Sequence, residues 1–192
     1  MTTTLTPPRI LTVDDDPIVR ADLRVILEDA GFSVVPDARD GVEAVEHARQ
    51  HAPDLIVLDL GLPGLDGFDA AATIRSERDV PIVALTGHNA PELLRRASDA
   101  GAESYVLKPF SEDGLISAIR AALAKRSARV AAEESRSYHL LLMVESMVRE
   151  NMSERDIKRA VRQAGGGGSE PAPTLRDAAR ALARRMGGIV RR

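Results

Sequence analysis

The sequence predicts an α/β protein in which a five-stranded, all-parallel, doubly wound sheet is followed by a small all-α module. Three observations carry this. Short apolar runs alternate five times with segments of helical spacing, which is the rhythm of strand–helix–strand units. The runs are apolar on both faces, as strands covered by helices on both sides must be. Charge balance also reverses along the chain: 12 basic and 21 acidic residues up to Lys125 give −9, whereas 14 basic and 8 acidic residues after it give +6. Such a reversal marks two modules with different partners, an acidic one suited to a hard cation and an arginine-rich one suited to phosphates or acidic protein.

The first run, RILTV (9–13), ends on Asp14, Asp15 and Asp16 and is followed at once by Pro17. Asp16 reads as a helix N-cap, with Pro17 at the first helical position, where its missing N–H costs nothing. That leaves Asp14 and Asp15 at the end of a buried strand, where carboxylates need a compensating cation. The next helix carries Ile18, Leu23, Ile26 and Leu27 and stops at Gly31. The second strand is FSVVP (32–36), and the helix after it presents Val42, Val45 and Ala48. DLIVLDL (54–60) brings Asp59 to the end of the third strand, with Gly61 and Gly64 in the following loop, then a helix with Phe68, Ala71, Ala72 and Ile74. PIVAL (81–85) leads into Thr86 and Gly87, and its helix carries Leu93, Leu94 and Ala97 up to Gly101. SYVLK (104–108) ends on Lys108; Ser111 then caps a helix whose apolar face holds Leu115, Ile116, Ile119 and Leu123.

In an open parallel sheet, sites form beyond the carboxyl ends of the strands. That rule gathers Asp14, Asp15, Asp59, Thr86 and Lys108 into one crevice. Three carboxylates without histidine or cysteine form a hard-oxygen donor set, suited to Mg²⁺. Lys108 supplies a fixed cation and Thr86 a hydroxyl donor. Together they are the parts for phosphoryl transfer to a carboxylate. Singly, Asp59 reads equally well as a strand-end cap, Lys108 as a surface residue and Tyr105 as a filler of the helix–sheet boundary; the ordered set on the strand ends does not.

The stretches VDDD (13–16), GVEAVEHARQHAPDL (41–55), LIVLDLGLPGLDG (55–67), ALTG (84–87) and GAESYVLKPF (101–110) resemble the response-regulator receiver domains of two-component signalling, from about Arg9 to Lys125. The resemblance implies a flavodoxin-like fold and a signalling protein whose own phosphoryl transfer and hydrolysis occur at Asp59. It implies that Asp14, Asp15, Asp59 and the carbonyl of Gly61 hold Mg²⁺, and that Lys108 binds a phosphoryl oxygen with a cis Lys108–Pro109 bond. It also makes Thr86 and Tyr105 the switch pair, and a sensor histidine kinase or phosphotransfer protein the partner. Leu62 stands where the family often has methionine, and Gly61 and His88 flank the expected path of hydrolytic water.

The expected organisation is a frayed N-terminus (1–8), a receiver (9–125) and a helical output or dimerisation module (126–192) with a flexible glycine-rich segment (165–173), whose GGGGS also matches an engineered linker. With no cysteine, no leader pattern and no membrane-length apolar run, the chain is expected to be cytoplasmic. From Leu115 the helical pattern continues either as one long helix or as two with a break between Ser127 and Ser137. Leu140, Leu141, Val144 and Met147 form an apolar face, for which a homodimer is the expected cover. Ser153 and Asp156 read as a capping box for a helix with Ile157, Ala160, Val161 and Ala164 on one face, and Thr174 with Asp177 opens a last helix. NMSERDIKRAVRQA and TLRDAARALARRMG resemble the second and third helices of RNA-binding ANTAR modules. Three outputs follow: dimerisation or protein docking first, nucleic-acid binding as the alternative, and a tail that folds back on the acidic receiver as the third.

Overall fold

A computed structural model of the chain describes residues 6–87, 91–150 and 152–164. In chain order the elements are β1 (Arg9–Val13), α1 (Pro17–Asp29), β2 (Ser33–Val34), α2 (Gly41–His51), β3 (Leu55–Asp59), α3 (Gly67–Glu77), β4 (Ile82–Thr86), α4 (Pro91–Asp99), β5 (Ser104–Leu107), α5 (Glu112–Arg149) and α6 (Glu154–Ala164). The five strands form one parallel sheet in the order β2-β1-β3-β4-β5. The doubly wound fold is thus the one expected, with β1 and β3 adjacent at the point where the strand order reverses.

Side chains alternate across the sheet, so each central strand feeds two cores. Leu11, Val13, Ile56, Leu58 and Ile82 face one side and pack with Ala44, Val45 and Ala48 of α2 and Ala70, Ala71 and Ile74 of α3. Ile10, Leu55, Val57, Val83 and Leu85 face the other and pack with Leu23 and Leu27 of α1 and Leu115 and Ile119 of α5. All five β3 residues are buried. Each large aliphatic side chain so placed contributes about 1.5–3 kcal/mol of transfer free energy, which is why the central strands are unbroken apolar runs.

Helix starts and stops follow the expected chemistry. Asp16 accepts from the Ile18 amide at 2.8 Å, Pro17 opens α1, and Asp40 and Asp66 cap α2 and α3 in the same way. Gly31 and Gly101 follow α1 and α4 with φ of +86° and +89°, in the left-handed region where a Cβ is costly.

Three apolar assignments are corrected. Ile18 is 70% exposed and Val42 63%, and Ala72 is exposed as well. Ile18 lies about 140° around the helix from Leu23, and Val42 about 60° from Val45 and about 120° from Ala48, so Ile18 is off its stripe and Val42 is at the outer edge of its own. The second strand is shorter than FSVVP: Val35 still donates to Ile10 O at 3.0 Å, but Pro36 has no N–H to continue the ladder.

The chain divides into two compact units, residues 1–127 and 128–192. Of the two readings left open after Leu115, the single helix holds: α5 runs unbroken for 38 residues. No glycine or proline interrupts the sequence from 115 to 164, and its alanine, arginine and glutamate favour helix. In the second unit Leu140, Val144 and Ile157 are buried within a single chain, with Leu141 and Met147 half-buried, so covering this face does not require a second copy. Ser153 and Asp156 interact as the capping box predicts, the Asp156 amide donating to Ser153 Oγ at 3.3 Å. The glycine-rich segment and the last predicted helix lie outside the described residues, as does His88. Among the described residues no helix is long and apolar enough to cross a membrane.

Candidate functional site

Register alone brings the acids together. Val13 pairs with Leu58, which sets Asp14 level with Asp59 on the neighbouring strand. Asp59 in turn pairs with Leu85, and Thr86 with Leu107, placing Thr86 and Lys108 just beyond the same end of the sheet. Asp14 is 1% exposed, Asp59 8% and Thr86 5%, while Asp15 is exposed at the mouth. Carboxylate oxygens of Asp14, Asp15 and Asp59 lie within 4.8 Å of one another.

Lys108 binds both buried acids, its Nζ donating to Asp14 Oδ2 at 2.6 Å and to Asp59 Oδ2 at 2.7 Å. The remaining carboxylate oxygens are held by main-chain amides: Asp16 N donates to Asp14 Oδ1 at 3.0 Å and Gly61 N to Asp59 Oδ1 at 2.9 Å. Lys108–Pro109 is cis, as the resemblance implies. Gly67 opens α3 directly behind the end of β3, where an added Cβ would sit 2.5 Å from Asp59 O; any larger residue would push α3 off the strand end.

The electrostatics are unbalanced. Burial raises the Asp14 carboxyl above the ordinary aspartate value, against the opposing pull of Lys108 and the Asp16 amide. For Lys108, burial works against the charge but the bonds to Asp14 and Asp59 outweigh it, and its basicity is raised. A charged lysine therefore faces three carboxylates, too little positive charge for the acids it serves. The donor set is all oxygen and partly buried, so it fits a hard divalent cation and offers nothing to a thiolate- or imidazole-seeking one.

One residue at the site escaped the sequence reading. Arg20, on the first turn of α1, donates from Nη1 to the carbonyls of Asp14 at 2.7 Å and Asp15 at 3.2 Å, and from Nε to Asp37 Oδ2 at 2.6 Å. Asp37 also accepts from Arg24 at 3.1 Å. Burial would raise the Asp37 carboxyl, but the Arg20 bond, with help from a backbone amide and Arg24, holds it below the usual carboxylate value. Arg20 thus fixes the main chain from which Asp14 and Asp15 project. The signal lay in Arg20 falling four residues after the cap Asp16, on the side of α1 that faces back to the acid loop. Tyr105, read as a switch residue, is 48% exposed, whereas Thr86 is 5% exposed.

The response regulator receiver domain family matches residues 10–120, and the chain belongs to that family. The transcriptional regulatory protein PdtaR of Mycobacterium tuberculosis is 45% identical over 119 residues, covering 62% of this chain and 58% of that protein. The DNA-binding response regulator MtrA of Mycolicibacterium smegmatis is 39% identical over 115 residues, covering 60% of this chain and 50% of its own length. The chain therefore spans little more than half of these relatives. Among solved structures, the LuxR-family two-component response regulator from Aurantimonas is 39% identical with a TM-score of 0.60, covering 62% of this chain and 86% of that one. The chemotaxis protein CheY4 of Vibrio cholerae is 29% identical with a TM-score of 0.58, covering 60% and 98%. The family match ends at residue 120, inside α5.

Proposed function

We propose that the chain is a response regulator that accepts a phosphoryl group on Asp59 from a histidine kinase or phosphotransfer protein and passes the change to its C-terminal helices. The observation that carries this is the Lys108 ammonium shared between Asp14 and Asp59 at a strand end rimmed by Asp15. An Asp59 oxygen forms the new P–O bond as the bond to the donor breaks, and the product is an acyl phosphate. Asp14, Asp15 and Asp59, with the Gly61 carbonyl, are the residues to hold Mg²⁺, which when bound offsets charge on the phosphoryl oxygens. Lys108 exchanges carboxylate for phosphoryl oxygen, and Thr86 donates its hydroxyl to another.

The metal site is tested without turnover. Mg²⁺ at about 100 times its Kd should stabilise the fold by about 2.7 kcal/mol. Asp14→Asn should lose most of that increment, while its metal-free form melts no lower than wild type because a buried charge has been removed. An undiminished Mg²⁺ effect in Asp14→Asn would contradict the assignment. Arg20→Ala leaves every carboxylate in place but frees their main chain, so Mg²⁺ affinity should fall roughly tenfold, as for loss of a ligand-orienting group. Unchanged affinity would reduce Arg20 to a structural role.

Thr86 and Tyr105 form the route outward in this reading. Thr86→Ala should still be phosphorylated, yet its phosphorylated form should not bring Tyr105 inward, as read by quenching of its fluorescence. A full response in Thr86→Ala would rule the route out.

For output, protein docking or dimerisation by the second unit is the first reading. Nucleic-acid binding is the second, favoured by one feature of α6: Arg155, Lys158, Arg159 and Arg162 are all exposed at i, i+3, i+4 and i+7 spacing. Binding to RNA that weakens steeply with salt selects the second; salt-insensitive binding to protein or self-association selects the first.

A further inference from the structure

Helix α2 carries two histidines, His47 and His51, that the phosphoryl site does not use. They stand four residues apart, so their side chains share one face of the helix one turn apart. The ring centres are 5.4 Å apart, with the planes at 78°. Two imidazoles bound to one tetrahedral ion at about 2.0–2.1 Å place their ring centres roughly 5 Å apart, so this pair already has the spacing of a chelate.

A second, independent observation concerns the orientation of His47. Its Nδ1 lies 3.2 Å from the carbonyl oxygen of Pro36. A carbonyl only accepts, so the neutral ring that makes this bond carries its proton on Nδ1 and its lone pair on Nε2. Donation of the remote ring N–H to a backbone carbonyl is the usual device for aiming a ligating histidine. Neighbouring charges are otherwise engaged: Arg49 is tied to Glu77, with Nε to Oε2 at 2.8 Å, and Glu43, one turn before His47, accepts from Arg39. Both imidazoles thus stand on one face of one helix, and an ion held between them would take its remaining ligands from water or an incoming group.

We propose that His47 and His51 form a bidentate site for an imidazole-seeking divalent cation of the Zn²⁺, Ni²⁺ and Cu²⁺ class, separate in place and in chemistry from the oxygen cluster at Asp14, Asp15 and Asp59. Imidazole pairs select late first-row ions, whereas Mg²⁺ prefers oxygen. One chain thus sorts two kinds of cation at two places, hard ions beyond the strand ends and borderline ions along α2.

The test is calorimetric titration of the full chain with Zn²⁺, with Mg²⁺ in excess so that the oxygen cluster is filled. One Zn²⁺ per chain is expected, with affinity reduced at least tenfold in His47→Ala and in His51→Ala and unchanged in His139→Ala. Cu²⁺ should show nitrogen hyperfine structure from two imidazoles in wild type and one in either variant. His47→Gln and His51→Gln guard against loosening of α2; a loss of affinity in these variants with an unchanged metal-free melting curve supports the site. Equal Zn²⁺ affinity in wild type and all variants, or binding lost only on replacing Asp14 or Asp15, would overturn it.

Discussion

Asp59→Asn is expected to abolish phosphorylation by a small phosphodonor in Mg²⁺, measured as the acid-labile gain of one phosphoryl group per chain. The substitution is nearly isosteric. Its amide oxygen can still accept from Gly61 N, as Asp59 Oδ1 does at 2.9 Å, and Asp14 still pairs with Lys108 at 2.6 Å. The fold is thus preserved while the proposed nucleophile is removed, because an amide is not a nucleophile at neutral pH. The alternatives nearby are Asp14, whose oxygens are held by Lys108 and Asp16 N, and exposed Asp15. Acid-labile phosphorylation that survives in Asp59→Asn would move the acceptor to one of them.

Lys108→Ala should separate three quantities that usually change together. Phosphorylation should slow by about 10²–10³, the usual effect of removing one fixed group that stabilises developing charge. Mg²⁺ affinity should not fall, because the ammonium that now binds Asp14 Oδ2 and Asp59 Oδ2 competes for the same oxygens. Stability without metal should drop toward the lower end of the roughly 3–5 kcal/mol seen when a buried pair loses one member, since Lys108 is 25% exposed and water partly replaces it. Urea unfolding with and without Mg²⁺ reads the last two effects: the metal should recover most of the loss. A variant that unfolds equally easily in saturating Mg²⁺ would show that Lys108 acts as a strut and not as a counter-charge.

The parts of this fold that were legible in sequence are those in which one residue's environment is set by its near neighbours. The central strands are apolar on both faces, so their positions and the residues at their ends, Asp14, Asp59, Thr86 and Lys108, follow from the pattern itself. Caps such as Asp16 and Ser153 are equally local. What was not legible depended on partners distant in sequence or on the angle around a helix. Arg20 finds Asp37 seventeen residues away across the sheet edge, and nothing in either neighbourhood announces the pair. Ile18 and Val42 were apolar and near a helical stripe, yet lie off its buried centre and are exposed. The polar centre of α5 left one helix and two equally open because residues 127–136 offer no core, and they are indeed all exposed; the helix persists there on intrinsic propensity and continuity with its flanks.

Arg20 grips carbonyl oxygens and leaves the carboxylates of Asp14 and Asp15 untouched. The loop's path is consequently written in its main chain, while its reactivity is written in side chains that the grip never contacts. Asp15, exposed at the mouth, behaves as a plug in a fixed socket, whereas Asp14 also ties the socket together through Asp16 N and Lys108. Substitutions at position 15 are therefore clean probes of chemistry, and they make this strand end a place where a receiver can be re-tuned while keeping its shape.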